Sequence, residues 1–442
     1  MKKSRAFKRI FAVAAMSSAV GLAALFGGCA SSGRDGVNGK DLNIYDIYEA
    51  AKVESGNPDL TMDEFLKQYL SYSSADLEYI TSLKACINKS LMASVSVISR
   101  FKKGTTSSYQ VSRSAGSGII IDIDRESGDM IVLTNCHVVY SPDDNVLGDR
   151  YSEDISVWLY GYECDNYKVN NKNAIPAELI AASITYDAAL LKVTGSDIVK
   201  ASKAEKMNWC MREENYIGET VYAIGNANGE TMSATVGYIT KDLEEISVNA
   251  GTEEKPDVRS HPAVRTSAPI NPGNSGGGLF NGDGELVGLV SASSKKYADR
   301  GYAITAASTR RVVNKMLNAY SGEKTRGVSI LNHGIRFTVK DSYSTGLNAQ
   351  GVAEIREVVS VTEIAFNSGA VLSLRAGDVI KHIKVIRNGS TVDEVEVMRE
   401  HNIDDIMLSV TAGDAVEFTV RRGLNEFPVR VTFNKNEFRT VD

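Results

Sequence analysis

The chain has 442 residues, of which 43% are hydrophobic, 24% charged and 7% aromatic. That composition belongs to an ordinary folded protein with room for two or three domains, and it excludes a disordered chain. A net charge of −6 is small for this length and excludes a general nucleic-acid binder.

Residues 1–29 read as a targeting segment. Lys2, Lys3, Arg5, Lys8 and Arg9 are followed by an apolar run from Ile10 to Phe26 and then by Gly27-Gly28-Cys29. This resembles a bacterial lipoprotein signal, which implies cleavage before Cys29 and a lipid on its sulfur. Phe26 departs from the usual small or aliphatic residue, so the same run is also long enough to remain as a transmembrane anchor. Both readings set the rest of the chain outside a membrane. Of five cysteines, Cys86, Cys136, Cys164 and Cys210 remain. An outward location permits disulfides but does not require them, and no CxxC spacing suggests a metal site.

Residues 30–42 are polar and glycine-rich, as expected of a flexible tether. Short helices are predicted over 43–89. Ile44, Ile47 and Tyr48 make one apolar stripe, Thr61 and Glu64 have the spacing of a capping box, and Phe65, Tyr69 and Leu70 continue a helical period. A third helix is predicted over about 75–92.

From about residue 93 the pattern changes to short strands. Ser94 to Ile98 alternates, and apolar runs at 118–121 and 130–133 bracket a turn. Further strands are predicted at 155–160, 177–182, 188–193, 220–224, 233–239, 286–291 and 302–305. Many short strands between turn residues predict an all-β barrel or sandwich. A helix is predicted over Arg310–Tyr320, and Ser321 to Lys324 marks a boundary. Residues 326–442 then read as a small mixed domain, with a turn at Arg375-Ala376-Gly377-Asp378 and a helix over Ile403–Val410.

Residues 270–280 read INPGNSGGGLF. Glycine is used where the backbone takes unusual angles or something must approach it closely. Ser275, set among such glycines, is a candidate nucleophile. A serine hydroxyl needs a base, and the base needs a third group to fix its tautomer. The chain has five histidines. His137 ends an apolar strand in LTNCHVV, and Asp187 opens another in TYDAALL. Each alone reads as a loop or cap residue. Three such sites in the order His, Asp, Ser make a triad the better reading.

TNCHVV, YDAALLKV and PGNSGGGL resemble the three catalytic blocks of the HtrA/Deg serine proteases. Gly116-Ser117-Gly118, Ala223-Ile224-Gly225-Asn226 and Gly301-Tyr302-Ala303-Ile304 match further segments of that family. The resemblance covers 90–322, with Cys136 standing where asparagine is common. It implies a mainly β fold, with a trypsin-like double β-barrel protease domain followed by a mixed α/β PDZ domain over 326–442.

By that resemblance Ser275 is the nucleophile, His137 the general base and Asp187 the orienting carboxylate. The Gly273 and Ser275 amides form the oxyanion hole, and Gly276 and Gly277 leave room around the attacked carbonyl. Trypsin-like enzymes that select basic residues carry an acid six positions before the serine. Pro269 stands there and Ile270 follows, so the pocket is expected to be apolar and to favour small or medium aliphatic side chains. Val290-Ser291-Ala292-Ser293 is the expected edge for a substrate strand.

The nucleophile elbow of α/β-hydrolases also fits G-x-S-x-G, but Pro269 and Pro272 break the strand it needs, and its histidine follows its serine. Asn332-His333-Gly334-Ile335 is the expected PDZ loop, with His333, Gly334 and Ile335 binding peptide C-termini. The resemblance thus implies a membrane-tethered endopeptidase of the bacterial envelope, facing outward and cleaving misfolded or unfolded proteins. A homotrimer is a possible assembly, since relatives commonly form trimers, although residues 43–89 are too different to carry that over. No metal or nucleotide motif is present. The alternative is a catalytically idle peptide-binding protein or chaperone built on the same fold.

Overall fold

The computed structural model describes residues 48–49, 51–53, 56–62, 64–65, 74–163, 172–293, 300–348 and 351–442. The predicted signal segment, Cys29, the tether and Cys164 lie outside the described residues. Residues up to Lys84 and residues from Ala85 form two compact units. In the first, Ala51, Leu60 and Phe65 are buried together. The predicted capping box forms: Glu64 accepts from the Thr61 amide at 3.0 Å, and the Thr61 hydroxyl accepts from the Glu64 amide at 3.2 Å. Helix α1 spans Ser74–Met92. No helix among the described residues is long and apolar enough to cross a membrane.

The second unit begins with two closed barrels. The first contains β1 (Ser94–Thr105), β2 (Ser108–Asp124), β3 (Asp129–Thr134), β4 (Asp154–Leu159), β5 (Ile175–Ser183) and β6 (Ala188–Val193), in the order β5-β4-β1-β2-β3-β6. Pairing of β5 with β6 closes it. A one-turn helix α2 (Cys136–Val139) follows β3, and α3 (Asp197–Ala201) follows β6. The alternation in β1 puts Val95 and Val97 into a core with Ile120, Val132 and Leu191. Full burial of one such side chain contributes about 1.5–3 kcal/mol. The serine face of β1 is buried as well.

The second barrel contains β7 (Asn208–Trp209), β8 (Thr220–Gly225), β9 (Ser233–Asn249), β10 (Val258–Thr266), β11 (Gly278–Asn281), β12 (Glu285–Ser293) and β13 (Gly301–Thr305). The order is β11-β8-β9-β10-β13-β12, closed by β11 on β12, with β7 added parallel to β12. Strand β9 runs ten residues past its predicted end at 239, and β10 was not predicted. Their shared hairpin carries Lys241, Asp242, Glu244 and Glu245. These charges mask the period-2 signal, although Ile246 and Val264 are buried.

Helix α4 (Ala306–Ala319) starts before its predicted first residue, Arg310, because Thr305 caps it through the Ser308 amide. Strand β14 (Thr325–Arg326) then adds parallel to β5 of the first barrel. The remaining chain forms β15 (Val328–Leu331), β16 (Ile335–Leu347), β17 (Ala353–Ile364), β18 (Val379–Arg387), β19 (Ser390–Glu396), α5 (His401–Met407), β20 (Ala415–Arg422), β21 (Asn425–Thr432) and β22 (Phe438–Val441). The main sheet runs β16-β17-β18-β20-β21, leaving β16 at an edge, and β15 pairs with β22. Ile380, Ile383, Ile403, Ile406, Phe418 and Phe433 are buried in one core. The predicted turn at Arg375–Asp378 is present: Asp378 accepts from the Arg375 amide at 2.9 Å and pairs with Arg422 at 2.6 Å.

Candidate active site

Each of the three expected residues sits where a strand gives way to a turn. His137 lies in α2, immediately after β3. Asp187 lies in the turn between β5 and β6, at φ +45°. A non-glycine residue rarely adopts that angle, so the surroundings must hold it. They do so from several directions. The Asn135 side-chain amide donates to the Asp187 carbonyl at 2.9 Å, and the His137 amide donates to its carboxylate at 3.1 Å. His137 Nδ1 lies 2.9 Å from Oδ2, and the Ser291 hydroxyl donates to the same oxygen at 2.8 Å.

The charges reinforce this arrangement. Burial opposes ionisation of Asp187, which is 5% exposed. The imidazole, the His137 amide and the Ser291 hydroxyl outweigh burial and hold the carboxyl below the usual range. Burial likewise pulls His137 down, but Asp187 overrides it and raises the imidazole above its ordinary value. The side chain of His137 remains 41% exposed, open to a reacting group.

Ser275 lies in the loop between β10 and β11. Gly273 and Gly276 have φ of +97° and +83°. A Cβ at Gly276 would lie 2.2 Å from the Ser117 carbonyl, and one at Gly273 would lie 2.2 Å from the Asn226 carbonyl. Gly276 is therefore needed because the backbone of the first barrel crowds it. The Ser117 hydroxyl donates to the Gly273 carbonyl at 2.7 Å and accepts from the Asn226 amide at 2.8 Å, and the Ser117 amide donates to the Ser275 carbonyl at 2.8 Å. Ser117 thus ties the serine loop to both barrels.

The Ser275 hydroxyl donates to the Ser291 carbonyl at 3.1 Å. Among the described residues no hydrogen bond joins it to His137, and the Gly273 and Ser275 amides donate to no protein acceptor. One residue, Ser291, therefore touches Asp187 through its hydroxyl and Ser275 through its carbonyl. It can do both because a β-bulge between Val290 and Ala292 re-aims it.

Pro269 is exposed and its carbonyl accepts from Thr235 at 2.9 Å, while Ile270 packs on the core of the second barrel. Ile270 fills the space beside Gly301, where a Cβ would come within 2.3 Å of its Cγ1. Val290 is fully buried, whereas Ala292 and Ser293 pair with β13. In the C-terminal region, Gly334 has φ +63° and the Ile335 amide donates to His333 Nδ1 at 3.0 Å. That imidazole lies 5.8 Å from the Phe337 ring, remote in sequence from the barrels.

Asn135, Ser117, Asn226 and the Ser291 hydroxyl were not singled out for these contacts. Asn135, Ser117 and Asn226 sat inside recognised motifs, and Ser291 in the expected substrate edge. Their partners, however, lie 52, 156, 109 and 104 residues away. Cys86, Cys136 and Cys210 are free thiols. Among the described residues, no group of three or more His, Cys, Asp or Glu side chains is arranged to hold a metal ion.

Residues 116–289 match the family described as trypsin-like peptidase domain. The chain is 27% identical over 367 residues to "Serine protease Do-like HtrA" of Bacillus subtilis (strain 168), covering 82% of this chain and 71% of that protein. It is 34% identical over 181 residues to "Probable periplasmic serine endoprotease DegP-like" of Pseudomonas putida (strain GB-1), covering 40% and 29%. A solved structure, "HtrA-type protease AlgW with decapeptide", aligns at 18% identity and a TM-score of 0.48, covering 81% of this chain and 99% of that one. The matched peptidase domain and the pair of closed barrels define a trypsin-like serine endopeptidase. Within that class, the chain is similar to HtrA serine proteases along 82% of its length.

Proposed function

We propose that Ser275, His137 and Asp187 are the catalytic triad of an extracytoplasmic endopeptidase. The observation that carries this reading is the 2.9 Å contact between His137 and Asp187, with Ser275 held beside them on the Ser291 carbonyl. Rotation about χ1 of Ser275 releases its hydroxyl from that carbonyl and turns it toward the imidazole. His137 then takes the proton as Oγ attacks the peptide carbonyl, and Asp187 stabilises the imidazolium. The developing oxyanion is met by the unengaged Gly273 and Ser275 amides. His137 returns the proton to the leaving amine, leaving an acyl-enzyme on Ser275. Water, activated by the same imidazole, hydrolyses it.

Ile270 beside Gly301 supports an apolar primary pocket for small or medium aliphatic side chains. Residues 291–293 serve as the edge to which substrate adds as a strand. Misfolded or unfolded proteins, which expose extended backbone and apolar side chains, suit both features. A relative named as periplasmic supports an envelope location, and Cys29 is the proposed lipid anchor. Residues 326–442 act as a PDZ module, with the open edge of β16 receiving peptide C-termini next to His333, Gly334 and Ile335. The Ile335 amide must first leave the His333 ring.

A fluorophosphonate probe tests the core of this reading. Labelling should be complete in the native chain and absent in Ser275→Ala. Folded protein that is unlabelled in both forms would assign the chain to peptide binding instead.

A further inference from the structure

Asp187 is held from the inside by Asn135, His137 and Ser291, but its turn also has an outer side. There the Thr185 amide donates to the Asp442 carbonyl oxygen at 2.8 Å, and the Thr185 hydroxyl donates to the same oxygen. These two residues are 257 positions apart. The Asp442 side chain accepts from the Tyr151 hydroxyl at 3.0 Å. Tyr151 is 7% exposed, lies 5.1 Å from the Tyr140 ring and has the Arg326 guanidinium 4.1 Å above it. Tyr140 closes the helical turn that carries His137, since its amide donates to the Cys136 carbonyl at 2.9 Å. Arg259 of β10 donates to the Thr185 hydroxyl at 3.2 Å, so the contact is braced from the second barrel too.

Asp442 follows β22, which pairs with β15 in the C-terminal region. A residue from that region therefore holds both segments of the His–Asp pair at once: the Asp187 turn through Thr185, and the His137 segment through Tyr151 and Tyr140. The barrels close without it, and it contributes little apolar surface. What the contact does fix is the relative position of two loops, one of which is in a conformation that must be held.

We propose that Asp442 is a positioning residue for the peptidase reaction, acting through Thr185 and Tyr151 to set Asp187 against His137. This rests on the triad reading above. It makes the C-terminal region a working part of the active site as well as a possible docking module. Displacing β22 would loosen the imidazole–carboxylate pair without touching Ser275.

The test uses four variants of the otherwise full chain: Asp442→Ala, Tyr151→Phe, the two combined, and removal of residue 442, because alanine keeps the main-chain oxygen on Thr185. Turnover is measured against titrated active sites, with proton NMR of the imidazole N–H shared between His137 and Asp187, and thermal melting. The expected result is a fall in kcat of about tenfold with KM unchanged, because a small misplacement acts on the chemical step. The downfield N–H resonance should shift or broaden. The double variant should lose no more than either single one, since both remove the same contact.

Wild-type kcat and an unmoved resonance in the folded form lacking residue 442 would overturn the proposal, as would a change confined to melting temperature. Should that form fail to fold, Tyr151→Phe reads the contact from its other side under the same two outcomes. Ser275→Ala separates the layers. If it retains turnover, the triad reading fails. If it is inactive while the tether variants behave as wild type, only the present proposal fails.

Discussion

Asp187 raises the His137 imidazole, and that sets the direction of the pH dependence. In the proposed triad the base is the neutral imidazole, so the acid limb of kcat/KM should lie above the ordinary histidine value, with activity climbing as pH rises through it. Asp187→Asn removes the charge and offers the wrong tautomer. The limb should move to lower pH and kcat should drop about ten-thousand-fold, read from pH–rate profiles of the two forms. Gly276→Ala meets a different obstacle, the Ser117 carbonyl, at an angle L residues resist. It should destabilise the loop by about 1–3 kcal/mol and suppress fluorophosphonate labelling, while circular dichroism keeps the barrels' β signal. The candidate residues could be singled out in the sequence because His, Asp and Ser carry their chemistry in their identity. Ser117 and Ser291 were not legible in these roles. A serine in a strand could face anywhere, and only the folded backbone brings each to its distant partner.

At the scale of elements, α4 links the second barrel to the C-terminal region. Its Arg311 is 1% exposed and lies 2.8 Å from both Glu213 of the barrel region and Asp393 of β19. Removing one member of a buried ionic cluster strands the others. Arg311→Ala should therefore destabilise the fold by about 3–5 kcal/mol in denaturant titration, whereas Lys324→Ala in the nearby linker should leave it unchanged. Barrel strands such as β6 could be placed from sequence because they are short, nearly continuous apolar runs, buried on both faces. The β9–β10 hairpin could not, for its charged residues serve contacts instead of a core: Asp242 meets Arg399 at 2.6 Å.

At the scale of the whole molecule, the barrels and the C-terminal region meet through titratable groups. Burial pushes Asp405 up to about 6, against the pull of Arg311 and His401 and with the push of Glu213 and Asp404. His401 is raised by Glu214, 3.4 Å away, more than burial lowers it. A raised group favours the folded state while protonated. The contribution of Asp405 is thus fully present below the ordinary carboxyl value and fades as pH rises through about 6. That of His401 fades as pH rises through its raised value. Stability should decline from pH 5 toward pH 8 across this junction, and Asp405→Asn should flatten the decline in melting curves taken at both. None of this could be read from sequence, where adjacent aspartates in a helix carry no sign of what packs against them.

The single contact between the Ser275 hydroxyl and the Ser291 carbonyl has a consequence for control. A neutral hydrogen bond is worth about 1 kcal/mol, or roughly fivefold in population. A brake that light spares bystander proteins only by a small factor, so an enzyme parked this way idles. Any strict on–off behaviour in the cell must come from elsewhere, through delivery of substrates or displacement of whole segments.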